Sequence, residues 1–316
     1  MNDYKKYAFN GEWFFENARE HMERNDFPWI PIGMIGDVFR WEITLIRDPF
    51  NERELIVFIS TPNEKPKVKC RLHSEFLRND GSCESETKDI LFMEPRGGGV
   101  GIFLNLDEMD DEKNGYLKDG GIEIHYGFQI EGILGKNDIW TFNIYDPLFD
   151  CEEKQNMITF YFAYDDLIAP EFFYSHKQLL TFHSTYFKSD SNGNLMIELN
   201  YVVGFEEFLQ ISNGVRFQET CKYFYLDVLK FARKYKLFNV VSLVDEAMKL
   251  MDFELTFSDA IYYGLNHRLA SSLRAIKTSK KLAEGMKQTN LETVSGESLK
   301  KCVKRFFEMM DEEFFV

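Results

Sequence analysis

The acidic stretch Asp107-Glu108-Met109-Asp110-Asp111-Glu112-Lys113-Asn114-Gly115 is the first place in this 316-residue chain where residue types and spacing invite chemistry. Counted from Asp110, Glu112, Asn114 and Gly115 stand at the third, fifth and sixth positions of an EF-hand calcium loop. The twelfth position needs a bidentate Glu and holds Gly121, so the stretch reads as a solvated turn. Arg96-Gly97-Gly98-Gly99-Val100-Gly101 has the glycines to cradle a phosphate with backbone N–H groups. It matches neither G-x-G-x-x-G nor G-x-x-x-x-G-K-[ST], with Ile102 where the dinucleotide pattern wants its last glycine, and reads as an irregular loop or bulge. His176 has no Cys, Asp or second His at a ligand spacing. At a strand-to-helix corner its imidazole can hydrogen-bond an orphaned backbone group, which makes it a structural cap. No G-x-S-x-G elbow or H-E-x-x-H helix occurs, and no histidine sits in a familiar context with a Cys nucleophile. No catalytic residue, cofactor or metal is expected, and an enzyme is the lesser reading.

Cys70, Cys83, Cys151, Cys221 and Cys302 are widely spaced, odd in number and without a C-x-x-C pair. Neither a zinc cluster nor a disulfide framework follows. A net charge of −15 disfavours attraction to nucleic acid or anionic lipid, which depends on Lys and Arg neutralising phosphate. Protein partners fit better. The opening residues lack an apolar signal region, no apolar run reaches membrane-spanning length and no Asn-x-Ser/Thr sequon occurs. A reducing cytoplasmic or nuclear location is expected.

The elements that would carry these residues change character midway, because all 8 prolines lie at or before Pro170. In the first half Val68, Cys70, Leu72, Ser74 and Phe76 alternate with Lys67, Lys69, Arg71, His73 and Glu75, a strand with one buried face. Ile122, Ile124, Tyr126, Phe128 and Ile130 repeat the pattern. Trp41–Leu45 and Leu55–Ile59 add strands, and Asn79-Asp80-Gly81 supplies hairpin chemistry. These features predict an antiparallel sandwich over 1–147 and a polar, Pro-marked linker over 148–156. Beyond it Met157–Phe162 and Met196–Leu199 read as strands. Helical stripes follow at Tyr225/Val228/Leu229/Ala232, Val240/Leu243/Val244/Ala247 and Leu299/Cys302/Val303/Phe306. In the segment after His176, Leu179, Phe182, His183 and Tyr186 define the face expected to be covered. Phe205, Phe208, Tyr223 and Phe224 offer a protein-binding surface as one reading, with the core as the favoured one.

The stretch Phe172–Lys188 resembles the start of a BTB (POZ) domain: an aromatic strand reaches His176-Lys177, and a helix follows with Leu179-Leu180, Ser184 and Phe187. Phe205–Leu209 and Leu226–Tyr235 resemble later helices of that family, with Ala232 and Tyr235 in its Ala-x-x-Tyr places. The amino-terminal half is similar to a MATH domain, on Trp41-Glu42-Ile43, Leu55–Ile59, Asn79-Asp80-Gly81, Phe103–Met109 and Tyr116–Gly121. Together the two resemblances cover about residues 8–281 and resemble the MATH and BTB proteins expanded in nematodes. The fold class they imply is α+β in two domains: a TRAF-like antiparallel sandwich, then an α/β BTB/POZ domain over 157–252 and a helical extension over 253–316.

Proteins of that arrangement act as adaptors for cullin-RING ubiquitin ligases, the MATH sheet holding a protein substrate while the BTB domain dimerises and binds the cullin. The resemblance therefore implies a homodimer, a cullin scaffold and a protein substrate, with no nucleic-acid or membrane partner. Carried over position by position, the peptide groove falls on Phe58, Leu72, Ile90, Gly98 and Val100. Relatives place mostly Tyr, Phe and Trp there, and only Phe58 is aromatic, so a different ligand is implied. The segment Lys188–Leu195 is short and polar where adaptors carry a hydrophobic-x-Glu cullin contact. A divergent BTB scaffold that dimerises without recruiting a ligase stays open.

Overall fold

A computed structural model describes residues 9–36, 38–95, 97–135, 138–147, 157–164, 169–187, 195–217, 221–249, 255–290, 292 and 294–314. The chain divides into two compact units, Met1–His176 with Ser191–Leu199, and Lys177–Asp190 with Asn200–Val316.

The first unit is built on two antiparallel sheets. One has β1 (Phe9–Phe15), β9 (Gly121–Leu134), β5 (Val68–Leu77) and β6 (Cys83–Phe92) in that order, with β8 (Leu117–Lys118) and β10 (Trp140–Phe142) also on β9. The other runs β2 (Ile30–Ile35), β3 (Val38–Arg47), β4 (Glu54–Thr61) and β7 (Gly97–Asn105). Short helices α1 (Ala18–Arg24) and α2 (Leu106–Asp110) fill connections. Alternation decides which residues meet between the sheets: Val68, Cys70, Leu72 and Phe76 of β5 and Ile122, Ile124, Phe128 and Ile130 of β9 all lie in one core. Trp41 of β3 is wholly buried there, its ring 4.8 Å from Phe128 and 5.7 Å from Phe92, with its indole N–H donated to the Ile35 carbonyl. Full burial of such a side chain contributes about 1.5–3 kcal/mol or more. The expected hairpin forms between β5 and β6: Gly81 takes φ 82°, and Asp80 accepts from Ser82 N at 2.8 Å.

The glycine-rich stretch departs from the expected loop. Gly97–Gly101 opens strand β7 and pairs with β4, and Arg96 lies outside the described residues. The expected bulge is present within the strand, where Ile56 pairs Phe103 but Phe58 pairs Val100.

A third sheet orders β12 (Glu171–His176), β11 (Met157–Phe162) and β13 (Leu195–Glu198), with β13 parallel to β11. It groups with the first unit. Tyr174 N donates to the Ile144 carbonyl at 2.8 Å and the Tyr145 and Phe173 rings are 5.9 Å apart, which ties β12 to the segment after β10. The division between units therefore falls inside the span 157–252 that the sequence assigned to one domain, whereas the expected linker 148–156 lies outside the described residues.

The second unit comprises α3 (Lys177–His183), α4 (Phe205–Ser212), α5 (Lys222–Lys234), α6 (Phe238–Lys249), α7 (Phe257–Tyr263), α8 (Asn266–Ala275), α9 (Ser279–Lys287) and α10 (Gly296–Phe314). Its aromatic centre joins Phe187, Phe205, Phe208, Phe231 and Tyr235, with Phe187 stacked at 5.4 Å and Phe208 at 5.8 Å from Tyr235. The expected stripe on α5 is buried throughout. Three other faces need correction. After His176 it is Leu180, Ser184 and Phe187 that are buried, while Phe182 and Tyr186 are exposed. In α6, Val241 and Met248 join Val240 and Val244 inside, leaving Leu243 and Ala247 half-buried. In α10, Val303 faces out and Met309 joins Cys302 in a core shared with α7, α8 and α9. Tyr223, expected in the core, is 67% exposed. Helix ends are set by a Thr256/Asp259 capping box on α7 and by Asp245, which accepts from His267 N at 2.7 Å at the start of α8. Among the described residues no helix is long and apolar enough to cross a membrane.

Asp146 supplies a pH test of the first unit. Its Oδ2 accepts from Gly36 N at 2.8 Å and from Asn143 Nδ2 at 2.5 Å, yet burial pushes its carboxyl above the usual 3.8, and these two hydrogen bonds only partly oppose the shift. Below the ordinary value both folded and unfolded chains are protonated; between it and the raised value the folded chain holds a proton the unfolded one has lost, so stability falls as pH rises. Asp146→Asn keeps an acceptor oxygen and removes the charge. Its urea midpoint relative to the parent is expected to climb as pH rises through this window, and a difference independent of pH would contradict the assignment.

Candidate protein-binding face

Strand β4 directs Leu55, Val57 and Ile59 into the core and, by alternation, Phe58 and Ser60 to the opposite face of its sheet. On neighbouring β7 their cross-strand partners are Val100 and Gly98. A Cβ on Gly98 would stand 2.1 Å from Phe58 Cζ and 2.6 Å from the Ile59 carbonyl oxygen, so the tip of the ring lies against the glycine. The wholly buried Thr44 hydroxyl contacts the Pro28 carbonyl at 3.0 Å and holds the segment that leads into β2. Trp29 follows, edge-on to Phe58 with ring centroids 6.1 Å apart. Trp29 is 47% exposed and Val100 36% exposed, so the result is an apolar, aromatic face open to a partner.

Two lysines reach strand β7, Lys65 buried and Lys88 paired with Glu86 at 3.0 Å. Lys88 of β6 places Nζ 4.1 Å from the centroid of Phe103 and donates to the Gly101 carbonyl at 2.7 Å. Lys65 donates to the Gly97 carbonyl at 3.1 Å; burial holds its ammonium below the usual lysine range, and the nearby Cys70 thiol opposes that shift. Ile102 N donates to Ser74 Oγ at 2.9 Å. Strand β7 ends its sheet, and these three contacts occupy backbone groups that an added strand would use. What this face leaves free is therefore its side chains rather than a strand edge.

The five groove positions inferred from the resemblance do not converge. Phe58, Gly98 and Val100 are contiguous. Leu72 is wholly buried in the sandwich core because the parity of β5 points it inward with Cys70 and Phe76. Ile90 is half-buried against that core, next to Gly99, whose added Cβ would lie 2.8 Å from Ile90 Cδ1. Trp29 was missed: its Pro-flanked segment signals a turn, but its approach to Phe58 depends on the Thr44 contact. In the second set, His176 ends β12 and Lys177 opens α3, as the corner motif requires. Leu179 is half-buried; Leu180, Ser184, Phe187, Ala232 and Tyr235 are buried. Ser184 donates to the Tyr235 carbonyl and accepts from Tyr186 N at 3.0 Å, while burial, with the Tyr186 and Tyr201 rings nearby, pushes the Tyr235 hydroxyl well above the usual tyrosine value. These residues hold the fold.

The acidic stretch spreads its charges: Arg19 meets Asp110 at 3.1 Å, Arg53 meets Asp107 at 3.4 Å and Asp111 accepts from Lys113 N at 3.0 Å. Cys70, Cys83, Cys221 and Cys302 are free thiols. No protein-family model and no curated protein matches the sequence.

Gly98 gives a direct test of how this face is built. Gly98→Ala is expected to cost about 1–3 kcal/mol, since the methyl must displace the Phe58 ring or the β4 backbone. In a Phe58→Ala background the same change is expected to cost less, with a remainder from the Ile59 carbonyl; chemical denaturation of the four-protein cycle reads the coupling. Equal costs in both backgrounds would contradict the ring-to-glycine contact.

Proposed function

We propose that the chain is a non-catalytic protein-interaction adaptor of the MATH and BTB kind, in which the sandwich captures a protein and the carboxy-terminal half joins a second copy and a cullin scaffold in the cytoplasm or nucleus. The observation that carries this reading is the exposed Trp29–Phe58–Val100 face, a rigid aromatic surface anchored on two strands. Element order supports it as well: a sandwich, then two strands, the His176-Lys177 corner, a helix, a short strand and the helices containing Phe205 and Tyr235 follow in the sequence that the resemblance implies. Phe182 at 79% and Tyr186 at 43% exposure leave an apolar surface beside that corner suited to protein contact. Two copies would present two capture faces and raise effective concentration for a multivalent substrate.

A second reading, a BTB scaffold that self-associates without a ligase, is favoured by the short polar segment between Phe187 and β13, whose residues 188–194 lie outside the described residues.

The capture role predicts that Phe58→Ala and Trp29→Ala keep their circular dichroism spectrum and oligomeric mass while recovering at least about fivefold less of the specific protein partner, as expected for loss of an aromatic anchor worth at least 1 kcal/mol. Undiminished recovery by both folded variants would remove the face from the function.

A further inference from the structure

The outward face of the β1–β9–β5–β6 sheet carries a second constellation. Register places Glu12 of β1 opposite His125 of β9, and His125 opposite Glu75 of β5, with Glu123 two residues before His125 on the same face. His125 Nε2 lies 3.7 Å from Glu12 Oε2 and 3.6 Å from Glu123 Oε1, and the three donor atoms fall within 4.8 Å of one another. These separations exceed hydrogen-bond length. The two distances from Nε2 come close to the donor–donor spacing of about 3.3–3.4 Å that tetrahedral zinc sets with bonds of about 2.0–2.1 Å, and the two carboxylates would draw together on the ion.

Two further observations point to a cation. Glu75 is 3% exposed at its side chain, its Oε2 has no hydrogen-bond partner among the described residues, and that oxygen faces His125 Nδ1 at 3.7 Å. Its other oxygen meets His73 Nε2 at 2.9 Å, His73 Nδ1 meets Thr87 Oγ1 at 3.0 Å, and the Cys83 thiol lies against the same carboxylate. Elsewhere on this face carboxylates meet strong cations: Glu131 pairs with Lys69 and Arg71, and Asp89 with Arg71. Glu12, Glu75 and Glu123 have only histidine as a cationic partner among the described residues. Three carboxylates around imidazoles leave an excess of negative charge that a divalent ion would neutralise.

We infer that Glu12, Glu123 and His125 form a divalent metal site suited to Zn2+, with His125 ligating through Nε2 and its Nδ1 proton turned to Glu75, a 3.7 Å contact that closes to a hydrogen bond as the metal binds. Glu75 acts as the positioning carboxylate that fixes the tautomer, and His73 holds Glu75. Ligation requires the neutral imidazole, so any proton on Nε2 leaves as the metal arrives.

Zn2+ titration into the reduced, chelator-treated full chain, followed by calorimetry, tests this. One equivalent is expected to bind. Glu12→Gln, at a side chain 78% exposed and therefore safe for folding, and Glu123→Gln are each expected to weaken binding at least tenfold. Glu75→Gln is expected to weaken it by about 10–100-fold without abolishing the site. Absence of zinc binding, or binding unchanged in folded Glu12→Gln and Glu123→Gln, as attachment to the exposed Cys83 or Cys221 would give, overturns the inference.

Discussion

Burial of Trp41 between the six-stranded and the four-stranded sheet is the constraint on which the rest of the first unit depends. Its ring touches Phe128 and Phe92 of the opposite sheet while its N–H satisfies the Ile35 carbonyl. A strand that slipped by one residue would turn its apolar set to solvent, so a packed Trp41 also locks the parity of β3 and its neighbours. Inward positions are thereby committed to the core and outward ones are free for other work. Both outward surfaces follow: Phe58 and Val100 on one sheet, Glu12, His125 and Glu75 on the other. The same parity places Gly98 beside Phe58, where the missing Cβ lets the tip of the ring approach the strand.

The second unit relies on a comparable closure around Tyr235. Its ring stacks with Phe187 and lies near Phe208, and its carbonyl accepts from buried Ser184. A buried hydroxyl paired with a backbone carbonyl is costly to lose, because the orphaned acceptor cannot reach water. The His176-to-Phe187 motif therefore works as architecture, while Phe182 and Tyr186 beside it stay exposed.

Strands with one packed and one charged face were legible because period-two alternation is a direct imprint of such a layer; β5 and β9 are the clearest cases. That alternation already placed Leu72 inward, and it prevailed over the groove position carried from the resemblance. Helix faces were harder to read. Residues 177–187 have apolar side chains on several sides, and the covered set, Leu180 and Phe187, depends on where Tyr235 lies. In α10, Val303 and Met309 exchange roles for the same reason: the partners are remote in sequence. Strand β1 carried no clear alternation signal, so the Glu12–His125 pairing across β1 and β9 was invisible before the register was known. Trp29 shares this origin, since its place beside Phe58 depends on a hydroxyl contact from another strand.

The proposed adaptor role requires the chain to join two kinds of partner at once, so the composition of its assembly is the deciding quantity. Affinity purification of the tagged full chain under mild salt, with mass spectrometry of the bound fraction and a second tag to detect self-association, measures that composition directly. The account predicts a cullin recovered together with a second copy of the chain. Recovery of the self-associated chain without any cullin would contradict ligase recruitment and leave the scaffold reading in its place.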